Sequence, residues 1–232
     1  MPDAAAVAGG LSIKARLRHA LPHWALDLAF SAGRLVQPGL SHRSSLKMCW
    51  VPDALPMIGT LPADYEIVSI GGEVAPAAWV ETLKAAGLSV TPATWTEDYC
   101  GNQKLTVVLG IMHRGTIVGT AGVKTLSPDM PATGLLTWVG LRPEHQGRGL
   151  AGPLVAACLR GARDAGAESV FLVTDDHRLP AIKTYLSAGF RPCLTSWDWT
   201  HRPRWRQASR RLRANVTWCQ DFAHTRAVAR LP

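Results

Sequence analysis

Residues 134–159 read Gly134-Leu-Leu-Thr-Trp-Val-Gly-Leu-Arg-Pro-Glu-His-Gln-Gly-Arg-Gly-Leu-Ala-Gly-Pro-Leu-Val-Ala-Ala-Cys-Leu159, an apolar run followed by a glycine-rich turn and an amphipathic pattern. The first part suits a buried strand. In the last part Leu150, Leu154, Val155, Cys158, Leu159 and Ala162 recur at helical spacing, so one side of a helix packs on a sheet. Pro153 falls in the first turn of that helix, where a missing N–H costs little. Between Gln146 and Gly152 three glycines leave backbone N–H groups unshielded, and the helix aims its positive dipole end and its unpaired first-turn donors at the same spot. Such a turn suits an anion such as a pyrophosphate.

Glycine spacing separates the kinds of anion cradle. A dinucleotide fingerprint requires G-x-G-x-x-G with an acidic residue about twenty positions on, and a Walker loop requires G-K-[ST]; neither is present. Gln146-x-x-Gly149-x-Ala151 instead resembles the Gln/Arg-x-x-Gly-x-Gly/Ala signature of the GNAT superfamily, the acyl-CoA-dependent N-acetyltransferases. A second segment agrees. Ser169-Val-Phe-Leu-Val-Thr174 is a short unbroken apolar run, as expected of a parallel strand buried on both faces. After Asp175-Asp176-His177 comes Arg178-Leu-Pro-Ala-Ile-Lys-Thr-Tyr-Leu-Ser-Ala-Gly-Phe190, with Pro180 placed for the first turn of a helix and Gly189 for its left-handed cap. This segment is similar to the "AA-I-x-x-Y-x-x-x-GF" element of the same superfamily, and the tyrosine falls on Tyr185.

The resemblance covers about residues 47–200 and implies an α/β fold of the GNAT acyl-CoA N-acyltransferase type, a central mixed sheet flanked by helices. It implies that the cradle strand splays from its parallel neighbour to admit the pantetheine arm of acetyl-CoA, held by the main chain of Val139, Gly140 and Leu141. Gln146, Gly147, Arg148, Gly149, Leu150, Ala151 and Gly152 would take the pyrophosphate, with Arg148 adding a charge. Tyr185 would serve as the general acid that protonates the departing sulfur, and the Val139 N–H as the oxyanion contact. Two positions depart from the family pattern. Val173 or Thr174 stands where many relatives carry a glutamate base, leaving Asp175, Asp176, Glu97, Asp98 and Tyr99 as neighbouring groups. Arg178 stands where many relatives hold the cofactor with an asparagine.

The reaction so implied is transfer of an acetyl group from acetyl-CoA, a cosubstrate, to an amine of a small molecule or peptide, with no metal. The alternative is a non-catalytic acyl-CoA-binding regulatory module whose arginine-rich tail contacts nucleic acid or a protein partner. His113, His145 and His177 read as surface histidines, because their spacing offers no ligand pair on a common face.

Outside the two motifs the pattern is regular from Tyr65. It gives a strand at 65–70, a helix from Pro76 stopped by Gly87, a hairpin turning at His113-Arg114-Gly115, and the cradle strand after Pro128 and Pro131. Residues 1–46 read as a partly helical extension, with Ile13, Leu17, Ala20 and Leu21 on one face, and Trp50 to Pro62 as a proline-punctuated lead-in. Residues 201–232 read as a basic extension. The net charge of +8 is concentrated in these flanks: 1–46 holds five basic and two acidic residues, and 201–232 eight basic and one acidic. The run Arg202-Pro-Arg-Trp-Arg-Gln-Ala-Ser-Arg-Arg-Leu-Arg213 is expected to be a solvated tail, and nucleic-acid binding is not expected, since no nucleic-acid fold accompanies it.

At 232 residues and 47% apolar the chain can bury a full core, and no apolar run approaches the roughly eighteen residues of a membrane span. Cys49, Cys100, Cys158, Cys193 and Cys219 show no C-x-x-C pair and no histidine at zinc spacing, which suggests reduced, mostly buried thiols in a cytoplasmic protein. Substrate choice is assigned to the loop at Trp95–Tyr99 and the edge at Thr195–Trp199, and the Trp197-Asp198-Trp199 edge could join subunits in a homodimer.

Overall fold

Seven segments rich in β-branched or alternating apolar residues pair into one mixed sheet. They are β1 Leu46–Trp50, β2 Tyr65–Ser69, β3 Thr106–His113, β4 Thr116–Ser127, β5 Met130–Leu141, β6 Ser169–Thr174 and β7 Arg191–Cys193, and their spatial order is β2-β3-β4-β5-β6-β1-β7. The computed structural model describes residues 45–52, 56, 59–71, 76–100, 106–193 and 201–219. Five helices flank the sheet within these: α1 Pro76–Ala85, α2 Pro92–Tyr99, α3 Ala151–Asp164, α4 Leu179–Ser187 and α5 His201–Leu212. Every neighbouring pair is antiparallel except β5–β6, which α3 connects; α4 carries the chain from β6 over β1 to β7.

Turn chemistry sets the boundaries. Arg114 and Gly115, at φ 50° and 78°, form the two-residue turn that joins β3 to β4, and their left-handed backbone matches the twist of the strands they connect. His113 therefore ends β3 rather than belonging to the turn. Helices α1, α3 and α4 each end in a left-handed glycine (Gly87, Gly166, Gly189) whose successor donates back into the helix: Leu88 to Leu83, Ala167 to Ala162 and Phe190 to Tyr185, at 2.9–3.0 Å. At Gly189 the indole of Trp50 lies 3.4 Å from where a Cβ would stand, a second reason for glycine before Phe190.

The sheet carries a core on each face. Met48, Leu136, Leu154, Leu172, Tyr185 and Trp205 belong to the cluster beneath α3, α4 and α5, whereas Ile70, Trp79, Leu83, Tyr99 and Val108 form the cluster beneath α1 and α2. A smaller cluster joins Cys49, Leu135, Phe171 and Cys193.

Three findings differ from the sequence expectations. The lead-in is preceded by a strand, β1, inserted between β6 and β7 and antiparallel to both. β5 starts at Met130, ahead of Pro131, because a proline next to a strand start loses few ladder bonds. Residues 201–212 are not a solvated tail: they form α5, with Trp205 and Ala208 in the core and Arg204 held in an ion pair with Asp176. Pairing and burial of alternate turns overcome the low hydropathy of the run. The expected helix in residues 1–44, the Thr195–Trp199 edge and residues 220–232 lie outside the described residues.

Candidate active site

Strands β5 and β6 run parallel only briefly. They pair at Thr133–Ser169, Gly134–Val170 and Leu135–Phe171, after which β5 continues for six more residues to Leu141 along β4 alone. Beyond that point no ladder joins the two strands; the cleft between their ends is this unpaired stretch, bordered by the β5 edge from Leu136 to Leu141. The cradle turn lies at the end of that edge.

β5 is also irregular where it borders the cleft. Its register with β4 passes from Gly122–Thr137 to Thr120–Gly140, so Trp138 and Val139 face the single residue Ala121 in a β-bulge. Trp138 sits at φ 54°, in the left-handed region, where a bulky side chain is held only by its surroundings. Those surroundings are specific. Thr120 Oγ1 donates to the Trp138 carbonyl at 3.1 Å, and the Trp138 indole N–H donates to the Asp98 carboxylate, which also pairs with Lys124. Trp79 packs edge-on against Trp95, Tyr99 and Trp138, with centroids 5.4, 5.8 and 5.9 Å away. Beside them Tyr99 OH and Thr137 Oγ1 are hydrogen-bonded at 2.9 Å, and burial pushes the Tyr99 phenol up. Asp98, in the segment assigned to acceptor choice, thus also braces the bulge. Glu97 is exposed and Tyr99 is buried.

The cradle turn has the form the sequence predicts. After the 3-10 turn Pro143–His145, Gly147 and Gly149 adopt φ 74° and 76°, and a Cβ placed at Gly147, Gly149 or Gly152 would meet nothing within 4 Å. The turn is braced from outside. Gln146 Nε2 donates to the Leu141 carbonyl at 3.0 Å and Arg148 Nη2 to the Glu144 carbonyl at 3.2 Å. The amides of Gly147, Arg148, Gly149 and Leu150 donate to no turn or loop carbonyl among the described residues, and those of Ala151 and Gly152 open α3. Several backbone donors thus lie together in this turn and at the start of α3.

Tyr185 lies on the inner face of α4, 8% exposed, in the same apolar cluster against which Val139 and Leu141 pack. Its ring meets Phe190 edge-on at 5.9 Å. Burial raises its hydroxyl to about 12, Arg178 opposing, and no hydrogen bond contributes. Arg178 itself sits at the N-terminus of α4, paired with Asp175 at 3.1 Å. Asp175 and Asp176 do not cap α4 with their side chains; Asp175 binds Arg178, and Asp176 takes Arg204 of α5 in a two-pronged ion pair. Thr174 is buried at the β6 end. No carboxylate of this loop is left without a cationic partner.

Among the groupings that sequence spacing missed, one adjoins the cradle. Tyr65 OH and His145 Nδ1 are hydrogen-bonded at 3.0 Å, His113 stacks on Tyr65 at 4.5 Å, and the two imidazoles lie 5.1 Å apart. Desolvation, then His113, lowers His145 below the ordinary histidine value. Tyr65, His113, Arg114 and Arg148 line an open pocket of about 450 Å³ that borders the cradle through Arg148. The signal was a strand pairing, Tyr65 opposite His113, which linear spacing does not carry.

Comparison with known proteins follows the geometry. Residues 77–190 match the model of the acetyltransferase (GNAT) family, a span from α1 to Phe190 that holds the bulge, the cradle and Tyr185. Mycothiol acetyltransferase of Corynebacterium aurimucosum is 39% identical over 75 residues, 32% of this chain and 25% of that protein. The same-named protein of Nocardia farcinica is 34% identical over 76 residues, 33% of this chain and 25% of its own. The match thus spans a quarter of these curated relatives. Among solved structures, a GCN5-related N-acetyltransferase from Kribbella flavida superposes with a TM-score of 0.51 at 18% identity, covering 73% of this chain and 71% of that one. One from Sphaerobacter thermophilus gives 0.53 at 21%, covering 75% and 54%. At these identities the structures show the fold. Motif, sheet and family model agree: residues 77–190 form an acetyltransferase domain of the GNAT family, and the solved structures agree with it in fold.

Proposed function

We propose that this protein transfers an acetyl group from acetyl-CoA to an amine of a small molecule or peptide, with the cleft between β5 and β6 as the cofactor channel. The observation that carries the reading is the end of β5–β6 pairing at Leu135–Phe171, with the glycine-rich turn open to ligand at the end of the same strand. The residues fit the group. An extended arm can lie along the β5 edge at Val139, Gly140 and Leu141, and a diphosphate can meet the amides from Gly147 to Gly152 without meeting a side chain. The helix dipole of α3 adds only about 0.3–1 kcal/mol, up to about 2 when partly buried, so amide hydrogen bonds and the buried arm must contribute most of the affinity. Arg148 and Arg114, at the adjoining pocket, offer charge to the nucleotide end.

Acetyl-CoA supplies the activated acetyl thioester. The chain's own residues then have three tasks. The cleft holds an unprotonated amine against the carbonyl, which supplies rate through proximity. The main-chain N–H of Val139, in the bulge, donates to the oxyanion that develops. The Tyr185 hydroxyl, kept protonated by burial, gives its proton to the sulfur as it leaves. Because Asp175 and Asp176 are tied to arginines, deprotonation of the amine falls to solvent or to the acceptor's own free-base fraction. The acceptor reaches the bulge beside Trp95 and Trp138, both half-buried.

The quarter-length match to mycothiol acetyltransferases supports acetyl transfer and leaves the acceptor of this chain to be found by assay. An amine panel monitored by release of CoA thiol tests the proposal. Turnover with at least one amine is expected; binding of acetyl-CoA by calorimetry with no turnover on any amine would favour a sensing module, which the paired Asp175 and Asp176 also suit.

A further inference from the structure

Away from the cleft, the sheet gathers three thiols. Cys49 of β1, Cys193 of β7 and Cys219, which bridges alongside β7, come from adjacent segments, and their Sγ atoms all lie within 4.8 Å of one another. Cys49 and Cys193 are 0% and 2% exposed, and Cys219 is half-buried. None is in a disulfide. Acetyl transfer as derived above makes no use of them. We propose that Cys49, Cys193 and Cys219 bind one soft divalent cation of the zinc class through three thiolates.

Geometry supports this first. Metal–sulfur bonds of about 2.3 Å place three thiolate sulfurs about 4 Å apart around one ion, so the observed cluster needs to contract by less than about 1 Å. A ligand set of three sulfurs selects soft ions over magnesium or calcium. Charge supports it next. Lys47 is 3% exposed, lies directly opposite Cys193 in the register, and shares a sheet face with Cys49 two residues on. Three thiolates and a divalent ion carry one net negative charge, which the Lys47 ammonium balances; a monovalent ion would leave a buried excess of negative charge. Cys49 and Cys193 stand on paired strands and Cys219 is bridged to β7, so little chain entropy remains to be lost on binding. The three cysteines are free thiols. Binding is then an exchange: three S–H protons leave to the buffer as three metal–sulfur bonds form, with no electron transferred.

The test titrates the full-length chain, reduced and under argon, with Cd²⁺ as the spectroscopic counterpart of zinc. A thiolate-to-cadmium charge-transfer band saturating at one ion per chain, release of three protons per ion and a raised melting temperature are expected. Cys219→Ser, at the half-buried position, should weaken Cd²⁺ at least about tenfold, since even outer-shell partners of a metal are worth that much. Cys100→Ser, at an exposed thiol outside the cluster, should leave the titration unchanged. In the unmutated chain, bound Cd²⁺ should slow alkylation of Cys49, Cys193 and Cys219 but not of Cys100, read by mass spectrometry, which removes any dependence on variant folding. No saturable band, no protection from alkylation, a band indifferent to Cys219→Ser, or a disulfide within the trio in protein purified without oxidant would each overturn the proposal. Every readout is independent of acetyl transfer, so the two readings stand or fall separately.

Discussion

At the scale of single residues, Tyr185 shows how burial prepares a proton donor. The hydroxyl rises from the usual 10.0 to about 12, first by desolvation, so it stays protonated wherever an amine acceptor is partly free base. Tyr185→Phe should lower kcat by about 10²–10⁴-fold with acetyl-CoA affinity unchanged by calorimetry; an undiminished kcat would remove the hydroxyl from the mechanism. The same shift has a stability consequence. In the unfolded chain the phenol ionises near 10 and in the folded chain near 12, so its contribution is complete below pH 10 and is lost as pH climbs toward 12, visible as a falling midpoint in urea. Gly122 is a steric counterpart. A Cβ there would stand 2.3 Å from the Tyr99 hydroxyl, so Gly122→Ala should cost about 1–3 kcal/mol, and measurably less in a Tyr99→Phe background. Equal costs in the two backgrounds would show that the clash relaxes elsewhere.

At the scale of elements, the cradle and the bulge were unequally legible. The turn from Gln146 to Gly152 and the helix of Tyr185 are local patterns, written in glycine spacing, a first-turn proline and a 3.6-residue apolar repeat, and the chain folds there as that pattern predicts. Gly149→Ala would force a side chain to φ 76°, at a cost of about 1–2 kcal/mol, so acetyl-CoA should bind roughly 5–30-fold more weakly by calorimetry. The bulge at Trp138 was hidden, because its cause is a mismatch between two strands and an ion pair from α2, none of it local. Asp98→Ala strips both the indole and Lys124 of their partner, and should destabilise by about 1.5–3 kcal/mol in urea. Asp98→Asn, which keeps an acceptor for the indole, should cost less. Likewise the thiol cluster and the Tyr65–His145 pair join residues whose proximity is set by strand order, so no spacing rule finds them.

At the scale of the whole molecule, charge proved a poor guide to position. The arginine run from Arg202 suggested a tail, yet α5 buries Trp205 completely and anchors Arg204 on the loop after β6. Trp205→Ala should therefore cost about 3–5 kcal/mol in a denaturant titration, the penalty of an emptied core site, where a tail residue would cost almost nothing. The placement of β1 has a consequence for biosynthesis. Its two hydrogen-bonding neighbours, β6 and β7, are encoded more than a hundred residues downstream, so a ribosome adding about 5–20 residues per second leaves Leu46–Trp50 waiting several seconds with both margins bare. The place between β6 and the edge strand β7 is thus filled by the first described strand to emerge, and the described sheet acquires its native order only once β7 has been made.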